Sequence, residues 1–114
     1  MMMQGYDLEK AVAFMTPRFD VKEFKPLAPQ LDSLLRQAIA ADMAFMQKSG
    51  VLDADGLMGD AYYDDDEAFE FILDRLAKDN HLKDSAQSPL ASFIDQYMDL
   101  QEAFLSDNGM MDWE

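Results

Sequence analysis

The sequence contains no cysteine, which excludes disulfides, thiol catalysis and cysteine-ligated zinc. Its single histidine, His81, leaves no Glu-x-x-His pair of the kind that holds di-iron centres in helical bundles. No stretch approaches the roughly eighteen apolar residues of a membrane span. The opening MMMQGYDLEK lacks a basic region followed by an apolar run, so no secretory signal is expected there. A soluble, cytoplasmic protein with no membrane association is the expectation. Period-two alternation is also missing, which argues against a sheet. There is no internal repeat, no phosphate-cradling glycine loop, no Ser-His-Asp order and no paired-carboxylate motif, so no enzyme and no cofactor are expected.

Basic residues are the other shortage. Nine Lys and Arg stand against 23 Asp and Glu, for a net charge of −14. The imbalance is local, because residues 1–50 carry Asp7, Glu9, Asp20, Glu23, Asp32 and Asp42 against Lys10, Arg18, Lys22, Lys25, Arg36 and Lys48. All of the excess therefore falls on residues 51–114, where only Arg75, Lys78 and Lys83 are basic. Such a field opposes contact with nucleic-acid phosphates or anionic lipid and favours a basic partner. Acidity that merely keeps a small protein soluble is the bland alternative.

What is present is globular composition: 114 residues, 49% of them apolar, enough for one domain with a core of its own. Four helical patterns follow along the chain. In DLEKAVAFMT, Leu8, Ala11, Val12 and Met15 share a face that stops at Thr16, before Pro17. The connector PRFDVKEFKPLAP has three prolines and reads as an ordered crossover, not a strand, with its aromatic side chains over the bundle. Phe19 and Val21 could make a short extended piece within it.

The second helix, Pro29 to Lys48, carries the stripe Leu31, Leu34, Leu35, Ala38, Ile39, Phe45 and Met46, with Ser49-Gly50 as its stop. The third runs through EAFEFILDRLAKD, with Ala68, Phe69, Ile72, Leu73 and Leu76 inward and Asp60, Asp64 or Asp65 as its cap. The fourth opens on Ser88 as N-cap with Pro89 at the first helical position. Its stripe is Leu90, Phe93, Ile94, Tyr97, Leu100, Phe104 and Leu105, and Asp107-Asn108-Gly109 ends it. The expectation is an all-α, four-helix bundle-like single domain over 1–114, with flexible termini at 1–6 and 108–114.

Between the second and third helices lies VLDADGLMGDAYYDDDEAFEF, which invites comparison with the calcium loop of an EF-hand. That loop needs oxygen ligands at positions 1, 3 and 5, glycine at 6 and glutamate at 12. Starting at Asp53 puts Leu57 at 5 and Met58 at 6. Setting Gly56 at 6 puts Val51 at 1 and Tyr62 at 12, and setting Glu67 at 12 puts Gly56 at 1 and Met58 at 3. Every register fails at two or more ligands, so no metal is assigned. The first turn of the third helix explains Asp64, Asp65, Asp66 and Glu67 better, since acids there meet unpaired N–H groups and the positive end of the dipole. One or two would serve, and the surplus points to a compensating partner or ion.

Several residues break the apolar pattern. Asp42 falls inside the second helix's stripe, so it is expected buried and paired, with Arg18, Lys22, Lys25, His81 or a tyrosine as the candidates. Gln101 falls likewise inside the fourth stripe and is expected to be a satisfied core amide. His81 reads as a cation at a helix C-terminus. Phe71 lies off the third stripe and either packs under the Phe19–Phe24 connector or anchors a partner. Met110, Met111 and Trp113 either fold back or dock elsewhere.

The leading expectation is a protein-interaction module or inhibitor that takes a basic partner through residues 51–79, with Asp64, Asp65, Asp66, Glu67, Glu70, Phe71 and Trp113 as contacts. A ligand- or cation-binding bundle using Asp42 and the acidic loop stands beside it, as does a self-associating protein that forms a homodimer.

Overall fold

A computed structural model of the chain describes residues 6–52 and 63–107. Four α-helices account for most of these residues, with no strand among them. The first, α1, spans Leu8–Met15 and starts on Asp7, whose side chain accepts from the Lys10 N–H at 3.1 Å. Its buried face is Ala11, Val12 and Met15. Pro17 then sits in a single 3₁₀ turn, Thr16–Arg18, and turns the chain away.

The crossover is ordered and largely 3₁₀. Its turns run over Val21–Gln30 and are broken at Phe24, where φ is −143° and ψ is 45°. Phe19 and Asp20 are extended and Val21 already begins the 3₁₀ turns, so the short extended piece that Phe19 and Val21 could have made stops at Asp20. Phe19 and Phe24 are buried against Phe93, with ring centroids at 5.2 and 5.5 Å. Asp20 is tied twice to Gln96: its N–H donates to Oε1 at 2.7 Å and its carbonyl accepts from Nε2 at 3.1 Å. A proline-rich segment has few backbone bonds of its own to offer, and these side chains fix it in their place.

The longest expected stripe becomes α2, Leu31–Ser49, ended by Gly50 at φ 87°, a left-handed position that glycine takes without steric cost. Ala41 and Met43 are buried beyond the expected stripe, because α2 is covered by α1, α3 and the crossover and also touches the fourth helix. Next, α3 spans Asp65–Asp79 with Asp64 as its N-cap, accepting from the Asp66 and Glu67 N–H groups at 3.0 and 3.2 Å. Ala68, Ile72 and Leu76 form its buried line, while Phe69 and Leu73 are only half-buried. Its C-terminus closes in a Schellman arrangement: Leu82 N–H reaches Ala77 C=O, His81 N–H reaches Lys78 C=O, and His81 takes φ 52°. His81 thus ends the helix through its backbone.

The last helix, α4, spans Gln87–Asp107. Ser88 is not its N-cap, contrary to the sequence expectation. A 3₁₀ turn at Asp84–Ala86 runs directly into the helix, with the Gln87 N–H bonded to Asp84 C=O, so the first donors are met by backbone. Pro89 falls in the first turn, where a missing N–H costs little.

The buried apolar side chains form one cluster that draws on all four helices and the crossover. Tyr6 belongs to it, although residues 1–6 were expected to be a flexible terminus. Its ring meets Phe104 edge-on at 5.4 Å and its hydroxyl is bonded inside the core, which holds the chain down from that residue onward.

Candidate functional site

Two features stand out from an otherwise apolar interior and a mixed surface. The first is a polar cluster in the core. Asp42 lies mid-way along α2 at 1% exposure, set there by the same period that buries Leu35, Ala38 and Phe45. Its Oδ1 accepts from the Tyr63 hydroxyl at 2.8 Å and its Oδ2 from the Tyr97 hydroxyl at 2.7 Å. Burial pushes the carboxyl up to about 6, against the two tyrosine bonds, which favour the ionised form; the Asp65 charge adds to the rise. Both phenols are driven far above the usual tyrosine range, first by burial and then by the Asp42 charge. Among the sequence candidates for the Asp42 partner, tyrosine is the one the fold brings in; no Lys, Arg or His among the described residues bonds it.

One turn beyond Tyr97 on α4 lies Gln101, at 2% exposure. Its Oε1 accepts from the Tyr6 hydroxyl at 2.8 Å. Its Nε2 has no hydrogen-bond partner among the described residues, so the expected satisfied core amide is only half realised. Asp42 and Gln101 do not bond each other directly; Asp42 is served by Tyr63 and Tyr97, and Gln101 by Tyr6.

The second feature is an acidic face. Asp64 caps α3, and Asp65, Asp66 and Glu67 project from its first turn. Asp95, Asp99 and Glu102 occupy one exposed stripe of α4, at spacings of four and three. The two groups meet: Asp65 is held above the usual carboxylate range by partial burial and by the charges of Asp64, Asp66 and Asp99. Ion pairs elsewhere neutralise Glu9 and Asp32 with Arg36, Asp79 with Arg75, and Asp74 with Lys78. Among the described residues, none of Asp64, Asp65, Asp66, Glu67, Asp95, Asp99 or Glu102 is in such a pair.

The remaining expected contacts are dispersed. Glu70 is exposed on α3. Phe71 does not pack under the crossover, because Phe19 and Phe24 are taken up by Phe93 of α4. It rests half-buried on Phe45 of α2, at 5.6 Å between centroids, with Arg75 and Lys48 over its ring at 5.6 and 5.8 Å. The acids at 53–60, together with Met110, Met111 and Trp113, lie outside the described residues. Among the described residues no three His, Asp or Glu side chains converge as around a metal ion. None of their helices is long and apolar enough to cross a membrane.

Sequence reasoning missed the α4 half of the acidic face. The signal was there: three acids on one helical stripe, in a 21-residue helix with no Lys or Arg. No protein family, curated protein or solved structure matches this chain.

Proposed function

We propose that this chain is a cytoplasmic protein-interaction module, not an enzyme, and that it takes a basic protein partner on the acidic face shared by α3 and α4. The observation that carries the reading is the unneutralised meeting of Asp65 with Asp64, Asp66 and Asp99. Like charges that raise the proton affinity of Asp65 cost folding energy, while the four ion pairs show that this chain neutralises acids elsewhere. A cationic partner relieves that repulsion on binding, and long-range attraction speeds its approach. The same field turns away nucleic acid and anionic membrane. A partner that itself binds nucleic acid would be blocked by this face, which is the inhibitor form of the reading.

Capture from the native cell tests it. Wild type is compared with the Asp64→Asn, Asp65→Asn, Asp66→Asn triple variant, in which Asn keeps the helix cap. A control removes equal charge elsewhere through Glu23→Gln, Asp84→Asn and Asp107→Asn, all exposed and free of ion pairs among the described residues. The reading expects a basic protein held by wild type and by the control and lost from the triple variant. Equal capture by all three proteins overturns it.

A further inference from the structure

We propose that the seam between α3 and α4 docks a basic amphipathic helix, which lays an apolar stripe along Phe69, Leu73 and Met98 and sets its lysines and arginines against the acids on either side. The inference rests on the reading of the acidic face as a partner site and adds the form that the partner takes.

Each of the two helices leaves one flank to the seam. In α3 the line Ala68, Ile72 and Leu76 faces the core, and Phe71 leans from it toward α2, where it meets Phe45. At about 100° per residue, Phe69 and Leu73 fall on the opposite flank, in the row of every fourth residue that begins at Asp65. In α4 the flank of Phe93 and Gln96 is taken by the crossover, through the rings of Phe19 and Phe24 and the two bonds to Asp20. Met98 lies on the other flank, with Asp95 and Glu102 one turn away on either side. The short connection over residues 80–86 folds α4 back against α3, and the charge of Asp99 acting on Asp65 shows that these two flanks adjoin. Phe69, Leu73 and Met98 pack on the core at their inner side and remain half-buried. Covering their outer side removes further apolar surface from water.

Charge decides what covers them. Asp65, Asp66 and Glu70 stand exposed along the α3 rim, and Asp95, Asp99 and Glu102 along the α4 rim. No ion pair among the described residues neutralises any of these six. Nor does either helix offer a cation on this side. No Lys or Arg occurs in α4; in α3, Arg75 lies over the Phe71 ring, and Lys78 follows Phe71 by seven positions on the same flank. A neutral or acidic segment would enter the seam against carboxylates on both sides, whereas a cationic one is drawn in by both. The element that fits is a helix. Its apolar residues recur on one face, as a narrow seam requires, and its other faces carry cations outward to two rims at once. Among the described residues there is no strand whose edge an extended peptide could join.

The probe is a synthetic peptide of about eighteen residues, roughly 27 Å as a helix, made of leucine and lysine with the leucines on one helical face. A second peptide has the same composition in an order that gives no helical stripe. Each is titrated into isotope-labelled wild-type protein at about 150 mM salt, with affinity read by calorimetry and contacts by NMR. The striped peptide should bind at least about tenfold more tightly than its isomer, turn helical on binding, and give leucine-methyl contacts to Phe69, Leu73 and Met98. Phe69→Ala and Met98→Gln should each weaken the striped peptide several-fold and leave the isomer unchanged. If a variant does not fold, the wild-type contacts decide alone. Equal affinity of the two peptides, with signals shifting only at the acids, overturns the seam as a helix groove and leaves the acidic face standing as a site for charge. Leucine contacts elsewhere on the fold overturn the seam as well. Failure of both peptides to bind overturns the seam and counts against the acidic face itself.

Discussion

Tyr97 of α4 donates its hydroxyl to Asp42 of α2 across 2.7 Å, in a core where neither side chain exceeds 1% exposure. Removing the phenol oxygen leaves a buried carboxylate short of one of its two donors. Tyr97→Phe should cost about 2 kcal/mol, the range for bonds to charged groups. Asp42→Ala should cost about 2–4 kcal/mol, because it removes the acceptor of both tyrosine bonds and leaves the fully buried Tyr97 hydroxyl without it. Urea unfolding of both variants checks this. If Asp42→Ala stabilises the fold, the carboxylate is retained for a purpose other than structure.

The raised position of Asp42 fixes the sign of a pH effect. The folded state binds this proton more tightly than the unfolded chain, so the contribution to stability is full below about pH 4 and is lost as pH rises through about 6. Wild type, relative to Asp42→Asn, should therefore lose up to about 3 kcal/mol between pH 4 and pH 7. A parallel pH profile for the two proteins would show that Asp42 is not perturbed.

Gln101 and Tyr6 make a testable pair. Each single change, Tyr6→Phe or Gln101→Met, breaks their 2.8 Å bond and leaves one polar atom stranded, at a cost of about 1–2 kcal/mol. The double variant removes both partners and with them the orphaned Nε2, so it should be no less stable than either single and close to wild type. A double-mutant cycle by thermal unfolding measures the coupling. Additive losses would contradict a shared bond.

His81 pays for its place at the end of α3 with a left-handed backbone, φ 52°. His81→Gly removes that steric cost and should stabilise the fold by about 0.5–1 kcal/mol, read as a higher Tm. Destabilisation would mean that the imidazole makes a contribution the backbone geometry does not reveal.

How far the sequence reached depends on the range of each contact. The helical period alone placed Asp42 among Leu35, Ala38 and Phe45, and Gln101 among Tyr97, Phe104 and Leu105, because local geometry decides which face a residue shares. It did not pick the partners. Tyr97 stands 55 positions from Asp42 and Tyr6 stands 95 from Gln101, and several cations were equally eligible until the helices packed. Phe71 shows the same limit: its departure from the stripe was legible, whereas its neighbour was decided by Phe93 having drawn the crossover rings to α4. Capping split along similar lines. Asp64 was one of three candidate caps beside Asp60 and Asp65, and the fold chose it, while Ser88-Pro89, the stronger local signal, lost to a 3₁₀ turn feeding the helix from upstream. The acidic face was half legible, since the first turn of α3 is contiguous and Asp99 joins it only through packing.

The most direct test of the acidic face is the association rate of the basic partner recovered by capture, measured by stopped flow from about 20 to about 200 mM salt. Wild type should associate about tenfold or more slowly at the high end, as screening shortens to about 8 Å near physiological ionic strength. The Asp64→Asn, Asp65→Asn, Asp66→Asn variant should start slower and show a shallower slope, and the equal-charge control at Glu23, Asp84 and Asp107 should retain most of the wild-type slope. Identical salt slopes for the two variants would contradict the account, leaving net charge alone, and not the face built by α3 and α4, as the source of any attraction.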